Sequence, residues 1–167
     1  MEPLRIYRVD DKYIKYLHSR DFRVQYNKDA RRPYVGVVLR VGHFSYFVPM
    51  ESPKPNHANI KNGKHIFRLE HGKYGLLGFN NMIPVPRDAL IEFDIAAEPD
   101  EQYKRLLQHQ ADICNRKKAD IVDHANSTYI EVISKENAFL TKISCDFKAL
   151  EHACRRYNPN YKPKTKS

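Results

Sequence analysis

The chain has 167 residues, of which 41% are hydrophobic and 29% are charged, and its formal net charge is +9. This length and composition predict one folded domain with a buried core and exclude a compositionally disordered protein. The mean hydropathy of −0.70 and the two Asn and two Pro in the longest uncharged stretch, Tyr74 to Pro86, exclude a membrane span of about 20 apolar residues.

The first half of the chain carries strand patterns with one early helix. Alternation over residues 4–9 predicts a strand, and Asp10 is placed to cap a helix over residues 11–20. Residues 34–40 and 44–50 are rich in β-branched and aromatic side chains and lie on either side of a glycine turn, which predicts a hairpin. Three further short strands are predicted over residues 65–70, 75–80 and 89–95.

The hydrophobic period changes after Glu98. Apolar residues recur every three or four positions between residues 103 and 133, and breaks between helices are expected at Asn115 and at residues 126–128. Asp146 is placed to cap a last helix. Strands first and helices later predict an α+β fold, with a strongly twisted antiparallel sheet and helices mostly in the C-terminal half.

Basic charge is concentrated in the first half of the chain and at its extreme C-terminus. Residues 1–86 carry a net charge of +8 and residues 87–154 a net charge of −4, while residues 155–167 hold five basic and no acidic side chains. Such asymmetry favours RNA, DNA or anionic lipid as a partner, and an ordinary solvated surface explains it equally well. We expect residues 1–154 to form one domain and residues 155–167 a flexible tail.

Several classes of site lack their sequence signatures. The three cysteines Cys114, Cys145 and Cys154 form no C-x-x-C pair, which predicts reduced, buried thiols rather than a disulfide or zinc site. Phosphate-binding glycine loops, zinc-protease and hydrolase motifs are absent, so no cofactor or metal is expected. Without a secretory signal pattern, the protein is expected in the cytoplasm.

The segment whose residues are best suited to a catalytic or binding role follows the second hairpin strand. Ser52 and Lys54 each precede a proline, which excludes the helical backbone region and holds both residues extended. Residues two apart in an extended chain point the same way, so a hydroxyl and an ammonium group are presented together on a stiff loop. This pair suits a phosphodiester, although an exposed lysine in a proline-stiffened turn explains the same pattern without any function.

Other candidate residues join this loop. Arg32 enters the first hairpin strand, and pairing of the two strands places it near the loop. His57 is a possible general acid or base, whereas Tyr13 has the helical spacing of a core aromatic. The other basic residues expected to contact RNA phosphates are Arg31, Lys61, Lys64, Arg155 and Arg156.

A family resemblance rests on several blocks that occur in a fixed order. The blocks are Ile6-Tyr7, Lys12-Tyr13-Ile14-Lys15-Tyr16-Leu17, Tyr34-Val35-Gly36-Val37-Val38-Leu39, Pro49-Met50-Glu51-Ser52-Pro53-Lys54 and Gly75-Leu76-Leu77-Gly78-Phe79-Asn80-Asn81-Met82-Ile83-Pro84. Two looser blocks follow in the helical half, Tyr103-Lys104-Arg105-Leu106-Leu107 and Cys145-Asp146-Phe147. Together they resemble the ToxN/AbiQ family, the toxins of type III toxin–antitoxin systems.

The resemblance implies a metal-independent endoribonuclease without a cofactor, active in phage defence, on a sheet related to the Kid/MazF toxins. It also implies inhibition by a repeated pseudoknot antitoxin RNA. By motif position, Ser52 and Lys54 match the family's active-site loop, Tyr13 its helix tyrosine and Arg32 a basic residue before the hairpin. Glu51 departs from the pattern, since the family often has Thr there, and Lys is common at position 32.

Metal-free RNA cleavage uses the ribose 2′-hydroxyl as nucleophile, so the protein supplies proton transfer and positive charge on the phosphorane. We expect Lys54 and Arg32 to stabilise charge, Ser52 to hydrogen-bond the phosphate or the 2′-hydroxyl, and Tyr13 and His57 to position groups or transfer protons. Repeated RNA held on basic faces could close a toxin–RNA ring with little direct protein–protein contact.

Two other functions remain open at this stage. A non-catalytic RNA-binding module would use the same cations and the 11 Tyr and 8 Phe as phosphate contacts and stacking faces. A DNA-binding regulator with a helix in the major groove is disfavoured, because the acidic helical half would repel the duplex.

Overall fold

The computed structural model describes residues 2–27, 31–61 and 63–160. Within these ranges, seven strands precede most of the helices. The strands are β1 (Arg5–Val9), β2 (Tyr34–Val41), β3 (Phe44–Glu51), β4 (Ile66–Arg68), β5 (Leu76–Gly78), β6 (Ile83–Pro84) and β7 (Leu90–Glu92). The α-helices are α1 (Asp11–Arg20), α2 (Glu101–Arg116), α3 (Lys118–Ser134), α4 (Ala138–Ile143) and α5 (Phe147–Arg156).

The strands form one antiparallel sheet in the order β4-β5-β3-β2-β1-β7, with β6 also paired to β3. The α+β class, the antiparallel sheet and the mostly C-terminal helices confirm the prediction. Strand β3 lies at the centre, because it pairs with β2 along one side and with β5 and β6 on the other. The positive φ of Gly42, 56°, allows the tight turn between β2 and β3.

Helix α1 returns across the sheet and packs against α5. Its first turn is capped as predicted, since the Asp10 carboxylate accepts the Lys12 N–H at 2.9 Å. On its buried face, the Tyr13 hydroxyl donates to the Pro84 carbonyl at 2.5 Å, and the Tyr16 hydroxyl donates to the Ala153 carbonyl at 2.7 Å. These two bonds fix α1 to β6 and to α5.

One buried carboxylate joins the sheet to two helices. Glu151 of α5 accepts hydrogen bonds through Oε2 from the hydroxyls of Tyr46 on β3 and Tyr129 on α3, each at 2.6 Å. Burial and this carboxylate raise the pKa of both tyrosines, so both hydroxyls keep their protons and act as donors. The three side chains therefore couple the helical half to the central strand.

One of the two predicted helix breaks is confirmed and the other is wrong. Helix α2 ends at Arg116 and α3 begins at Lys118, next to the break predicted at Asn115, whose side-chain amide pairs with both the N–H and the carbonyl of Leu4 at 2.8 and 2.9 Å. The 126–128 cluster lies inside α3, where the Thr128 hydroxyl donates to the Lys64 carbonyl at 2.7 Å. This side chain finds its partner on a distant segment instead of interrupting its own helix.

The remaining differences are smaller. Strand β6 and helix α4 were not predicted, and β4, β5 and β7 are each three residues long, shorter than expected. The predicted tail boundary at residue 155 is also wrong, because Arg155 and Arg156 form the last turn of α5. Residues 157–160 follow the helix without regular secondary structure, and residues 161–167 of the predicted tail lie outside the described residues.

The three cysteines are free thiols, as predicted; Cys114 and Cys145 are buried as expected, whereas Cys154 is only half-buried. Burial raises the pKa of Cys114 and of Cys145 to about 12, so these two thiols stay protonated at neutral pH. Among the residues that the structure describes, none of the helices has the length and apolar composition needed to cross a bilayer.

The substitution Glu151→Ala should lower the free energy of unfolding by about 3 kcal/mol, because the buried hydroxyls of Tyr46 and Tyr129 lose their acceptor. Glu151→Gln, which keeps an acceptor oxygen, should cost less. Urea unfolding followed by circular dichroism measures both, with Glu136→Ala on the exposed surface as the control. Equal midpoints for Glu151→Ala and Glu136→Ala would contradict this role.

Candidate active site

The site forms where β2 begins and β3 ends. The register pairs Tyr34 with Pro49, and the Met50 N–H donates to the Pro33 carbonyl at 3.0 Å. The residues that enter β2 therefore lie beside those that leave β3, which confirms the predicted placement of Arg32 near the proline-stiffened loop.

A cleft of about 180 Å³ opens at this point. It brings together three cations and two hydroxyls beside one carboxylate, and among the described residues its lining includes Arg31, Arg32, Glu51, Ser52, Lys54 and Tyr103. Ser52 and Lys54 are exposed on the loop, and Lys54 has the extended backbone, φ −132° and ψ 152°, that its following proline favours. The cleft therefore presents a positively charged surface suited to a phosphodiester.

His57 lies behind the loop rather than in the cleft, since only 1% of its surface is exposed. Its Nδ1 accepts the Lys54 backbone N–H at 3.3 Å, which requires the neutral ring to carry its proton on Nε2. That nitrogen lies 3.4 Å from Oε2 of Glu51. The imidazole thus links the two ends of the segment that carries Ser52 and Lys54.

The turn between β4 and β5 supports the same loop. A Cβ atom on Gly75, whose φ is +99°, would lie 2.0 Å from the Glu51 carbonyl oxygen, and one on Gly72 would lie 2.7 Å from the His57 Cβ. The Arg68 guanidinium also donates to the Ala58 carbonyl at 3.0 Å. Close backbone packing therefore holds the loop from behind, and only glycine fits at the two contact points.

Tyr103 is the site residue that sequence reasoning missed. It lies in the first turn of α2, where the Asp100 carboxylate accepts its backbone N–H at 3.1 Å. Burial raises the pKa of its hydroxyl, and the charge of Arg8 opposes part of that rise. The hydroxyl therefore stays protonated and can donate a hydrogen bond. The one sequence signal of this residue is that it begins the looser family block Tyr103-Lys104-Arg105-Leu106-Leu107, which assigns it no role.

Tyr13 is a core residue, fully buried with its hydroxyl on the Pro84 carbonyl. Pro84 pairs with Tyr46, six residues before Ser52 along β3, which is about 20 Å of extended chain. Burial also raises the pKa of Tyr13 well above its usual range. The structure therefore does not bring Tyr13 to the cleft, and the predicted catalytic contact is not supported.

The other basic candidates are dispersed. Lys61 is exposed between the loop and β4, and Lys64 forms an ion pair with Glu131 on α3. Arg155 lies over the ring of Phe44, at the opposite end of β3 from Ser52, with Arg156 beside it. Only Arg31 of the five predicted phosphate contacts lies in the cleft. Across the described ranges, no three His, Cys, Asp or Glu side chains gather as a metal site would require.

Comparisons with known proteins agree with this architecture. The family described as toxin ToxN of type III toxin–antitoxin systems matches residues 5–155. Endoribonuclease ToxN from Bacillus thuringiensis subsp. kurstaki is 32% identical over 162 residues, which cover 92% of this chain and 84% of the relative.

Two solved structures have the same fold. One concerns a bacterial type III toxin that is selectively inhibited by a non-coding RNA pseudoknot, with a TM-score of 0.83, 30% identity and coverage of 93% of this chain and 98% of that one. The other is AbiQ, a lactococcal anti-phage endoribonuclease of a type III system. It has a TM-score of 0.81 and 30% identity, and the match covers 92% of this chain and 97% of AbiQ. The chain therefore belongs to the ToxN family of type III toxin–antitoxin systems.

Proposed function

We propose that this protein is a sequence-selective, metal-independent endoribonuclease toxin that acts in the cytoplasm and contributes to phage defence. The observation that carries the proposal is the cleft in which Ser52 and Lys54 meet Arg31 and Arg32. Its relatives are named endoribonucleases, and AbiQ is anti-phage. The single domain spans residues 1–154 together with the last turn of α5.

The proposed reaction is attack of the ribose 2′-hydroxyl on the adjacent phosphorus. The O2′–P bond forms as the P–O5′ bond breaks, and the 2′-hydroxyl gives up a proton while the 5′-oxygen takes one up, so the products are a 2′,3′-cyclic phosphate and a 5′-hydroxyl. The transition state carries negative charge on the phosphorane, which cations next to it stabilise more strongly than they stabilise the bound substrate. The three cations and two hydroxyls of the cleft supply this stabilisation directly, and the cleft holds only one carboxylate among the described residues, whereas a divalent cation prefers several oxygen ligands, mostly carboxylates.

Each cleft residue has a proposed role. Lys54 and Arg32 stabilise the phosphorane, Arg31 contacts a neighbouring phosphate, and Ser52 hydrogen-bonds the phosphate or the 2′-hydroxyl. The protonated Tyr103 hydroxyl is a further donor to the RNA. His57 acts as a positioning residue, because the loop itself occupies both of its ring nitrogens.

Inhibition by an antitoxin RNA follows from the same charge distribution. A related toxin is selectively inhibited by an RNA pseudoknot. We propose that a repeated pseudoknot RNA follows the basic first half of this chain, with its net charge of +8, and covers the cleft. Such an RNA, passing from one toxin to the next, would close an RNA–protein ring with little direct protein–protein contact.

The purified protein should cut single-stranded RNA in buffer with EDTA and leave 2′,3′-cyclic phosphate and 5′-hydroxyl ends. Ser52→Ala and Lys54→Ala should each slow cutting about a hundredfold, or about 3 kcal/mol, without changing Tm, because both side chains are exposed. Product ends are identified by mass spectrometry and rates by gel electrophoresis.

Lys117→Ala, at the exposed junction of α2 and α3, is the matched control and should cut at the wild-type rate. Binding without strand scission would favour the non-catalytic RNA-binding module. Activity that disappears with EDTA and returns with magnesium would overturn the metal-independent mechanism.

Glu51→Ala and His57→Asn should each lower kcat about tenfold with little change in KM. Each variant removes the contact between His57 Nε2 and Glu51, whereas the residues proposed to contact the phosphate remain. Asn retains an acceptor for the Lys54 N–H but cannot reach Glu51. Glu51→Gln, which keeps an oxygen beside Nε2, should restore most of kcat. A change confined to Tm would show that the pair serves stability alone.

An RNA transcribed from tandem repeats upstream of the gene should bind with a steep log–log dependence on salt concentration. Charge reversal at Lys54 or Arg32 should weaken this binding far more than reversal at Asp112 or Asp120. Filter binding across a salt series measures both effects. A complex insensitive to salt, or one in which Lys54 stays open to amine-reactive labelling, would rule out occlusion of the cleft.

A further inference from the structure

Arg8 is a half-buried arginine on β1 that has no hydrogen-bonding role in the fold. Its Nε is buried and has no hydrogen-bond partner in the part of the chain that the structure describes. Its guanidinium carbon lies 4.0 Å from the centroid of the Phe93 ring. Arg5, three residues earlier on the same strand, is instead exposed and paired with Glu92 at 3.3 Å. A buried donor without an acceptor lowers stability, which indicates that Arg8 serves another purpose.

The backbone places Arg8 beside the cleft. The register of β1 against β2, continued by one residue, sets Arg8 opposite Pro33, which lines the cleft. Asn27 gives a second link, because its side-chain amide donates to the Val9 carbonyl at 2.5 Å and its own carbonyl accepts the Arg32 N–H at 3.2 Å. The end of β1 is therefore fixed to the segment that carries the cleft arginines.

Two aromatic rings connect the Arg8 side chain to the same cleft. The Phe93 ring that carries the guanidinium meets the Tyr103 ring edge to face, with 6.4 Å between centroids and 65° between planes, and Tyr103 lines the cleft. Burial raises the pKa of Tyr103, the charge of Arg8 lowers it in part, and the Glu98 carboxylate has a smaller effect that raises it. The guanidinium therefore lies beside the wall of the cleft that Tyr103 forms.

The chemistry of this guanidinium suits an RNA phosphate. A guanidinium stacked on an aromatic face keeps its N–H donors in its own plane, where they remain available to an oxygen at the edge of the ring. Phosphate oxygens match the spacing of those donors. In the proposed reaction the cleft cations act on the scissile phosphate, and each further nucleotide of the RNA brings another negative charge to neutralise.

We propose that Arg8 binds a backbone phosphate that flanks the scissile one, so that the RNA strand passes from the cleft cations over Tyr103 to Arg8. The inference rests on the proposed function and extends its substrate contacts by one nucleotide. Phosphate contacts fix the position of a nucleic acid on a protein without reading its sequence. Arg8 therefore strengthens the binding of every RNA substrate alike and acts on KM rather than on kcat.

The test uses short RNAs with the mapped cut site, in which one phosphate on either side of the scissile one is replaced by an uncharged methylphosphonate. Each modified linkage follows a 2′-deoxyribose, as does the matching phosphate of the reference RNA. With wild-type protein, one of the two replacements should raise KM about tenfold, because a charge-assisted hydrogen bond is lost. Arg8→Gln should raise KM for the reference RNA by about the same factor and show no further loss with that methylphosphonate.

Arg5→Gln is the matched control, because Arg5 lies on the same strand and is exposed. This variant should keep the wild-type KM and the wild-type response to methylphosphonate. Arg8→Lys keeps the charge without the planar fork, so its KM should lie between wild type and Arg8→Gln. Arg8→Gln should also reduce the log–log dependence of KM on salt concentration by about one unit of slope. If Arg8→Gln does not fold, the wild-type scan and Arg8→Lys still decide.

Two results would overturn the phosphate contact. One is wild-type protein that tolerates methylphosphonate at both flanking positions, and the other is Arg8→Gln that loses the full wild-type factor at the sensitive position. The nuclease proposal fails separately. If wild type does not cut these RNAs, Kd replaces KM in the same comparison, and the Arg8 contact can stand without the nuclease. If it cuts RNA and the two losses multiply, the contact is wrong and the nuclease proposal stands. Protein that neither cuts nor binds RNA contradicts both.

Discussion

The backbone ladder of β3 is the constraint on which the site depends. Its last two residues, Met50 and Glu51, still pair with β5, and the Met50 N–H also binds the Pro33 carbonyl. Ser52 follows immediately, so the pairing of β3 sets the direction in which its side chain points. Because strand side chains alternate between faces, a slip of one residue would turn Ser52 and Lys54 away from Arg32. The register is in turn fixed by the buried faces of β2 and β3.

The basic half and the acidic half of the chain both contribute residues to the candidate site. The three cleft cations Arg31, Arg32 and Lys54 all come from the basic first half, but the hydroxyl of Tyr103 comes from α2 in the acidic half. The same half also supplies Glu151, whose buried carboxylate binds Tyr46 in the middle of β3. The helical half therefore completes the candidate site and stiffens the strand that carries it, while its net negative charge leaves the basic half as the surface proposed to bind RNA.

The features that depend on neighbouring residues in the sequence were predicted correctly. The proline positions fixed the extended loop, the hairpin pattern placed Arg32 beside it, and Asp10 and Asp146 cap their helices as expected. What failed depends on partners far along the chain. Residues 126–128 do not interrupt α3, because the Thr128 hydroxyl has its partner on Lys64, far away along the chain, and the contribution of Tyr103 depends on the placement of α2 beside the cleft. The burial of His57 requires the β4–β5 turn, which no spacing reveals.

Arg32 shows why one departure from the family pattern is suited to this chain. Its Nε donates to the Tyr26 carbonyl, and the same residue lines the cleft. A lysine, common at this position in the resemblance, has one donor atom and could serve the loop or a phosphate at a time. The guanidinium does both at once, so the position of the loop between α1 and β2 and the charge in the cleft depend on the same group.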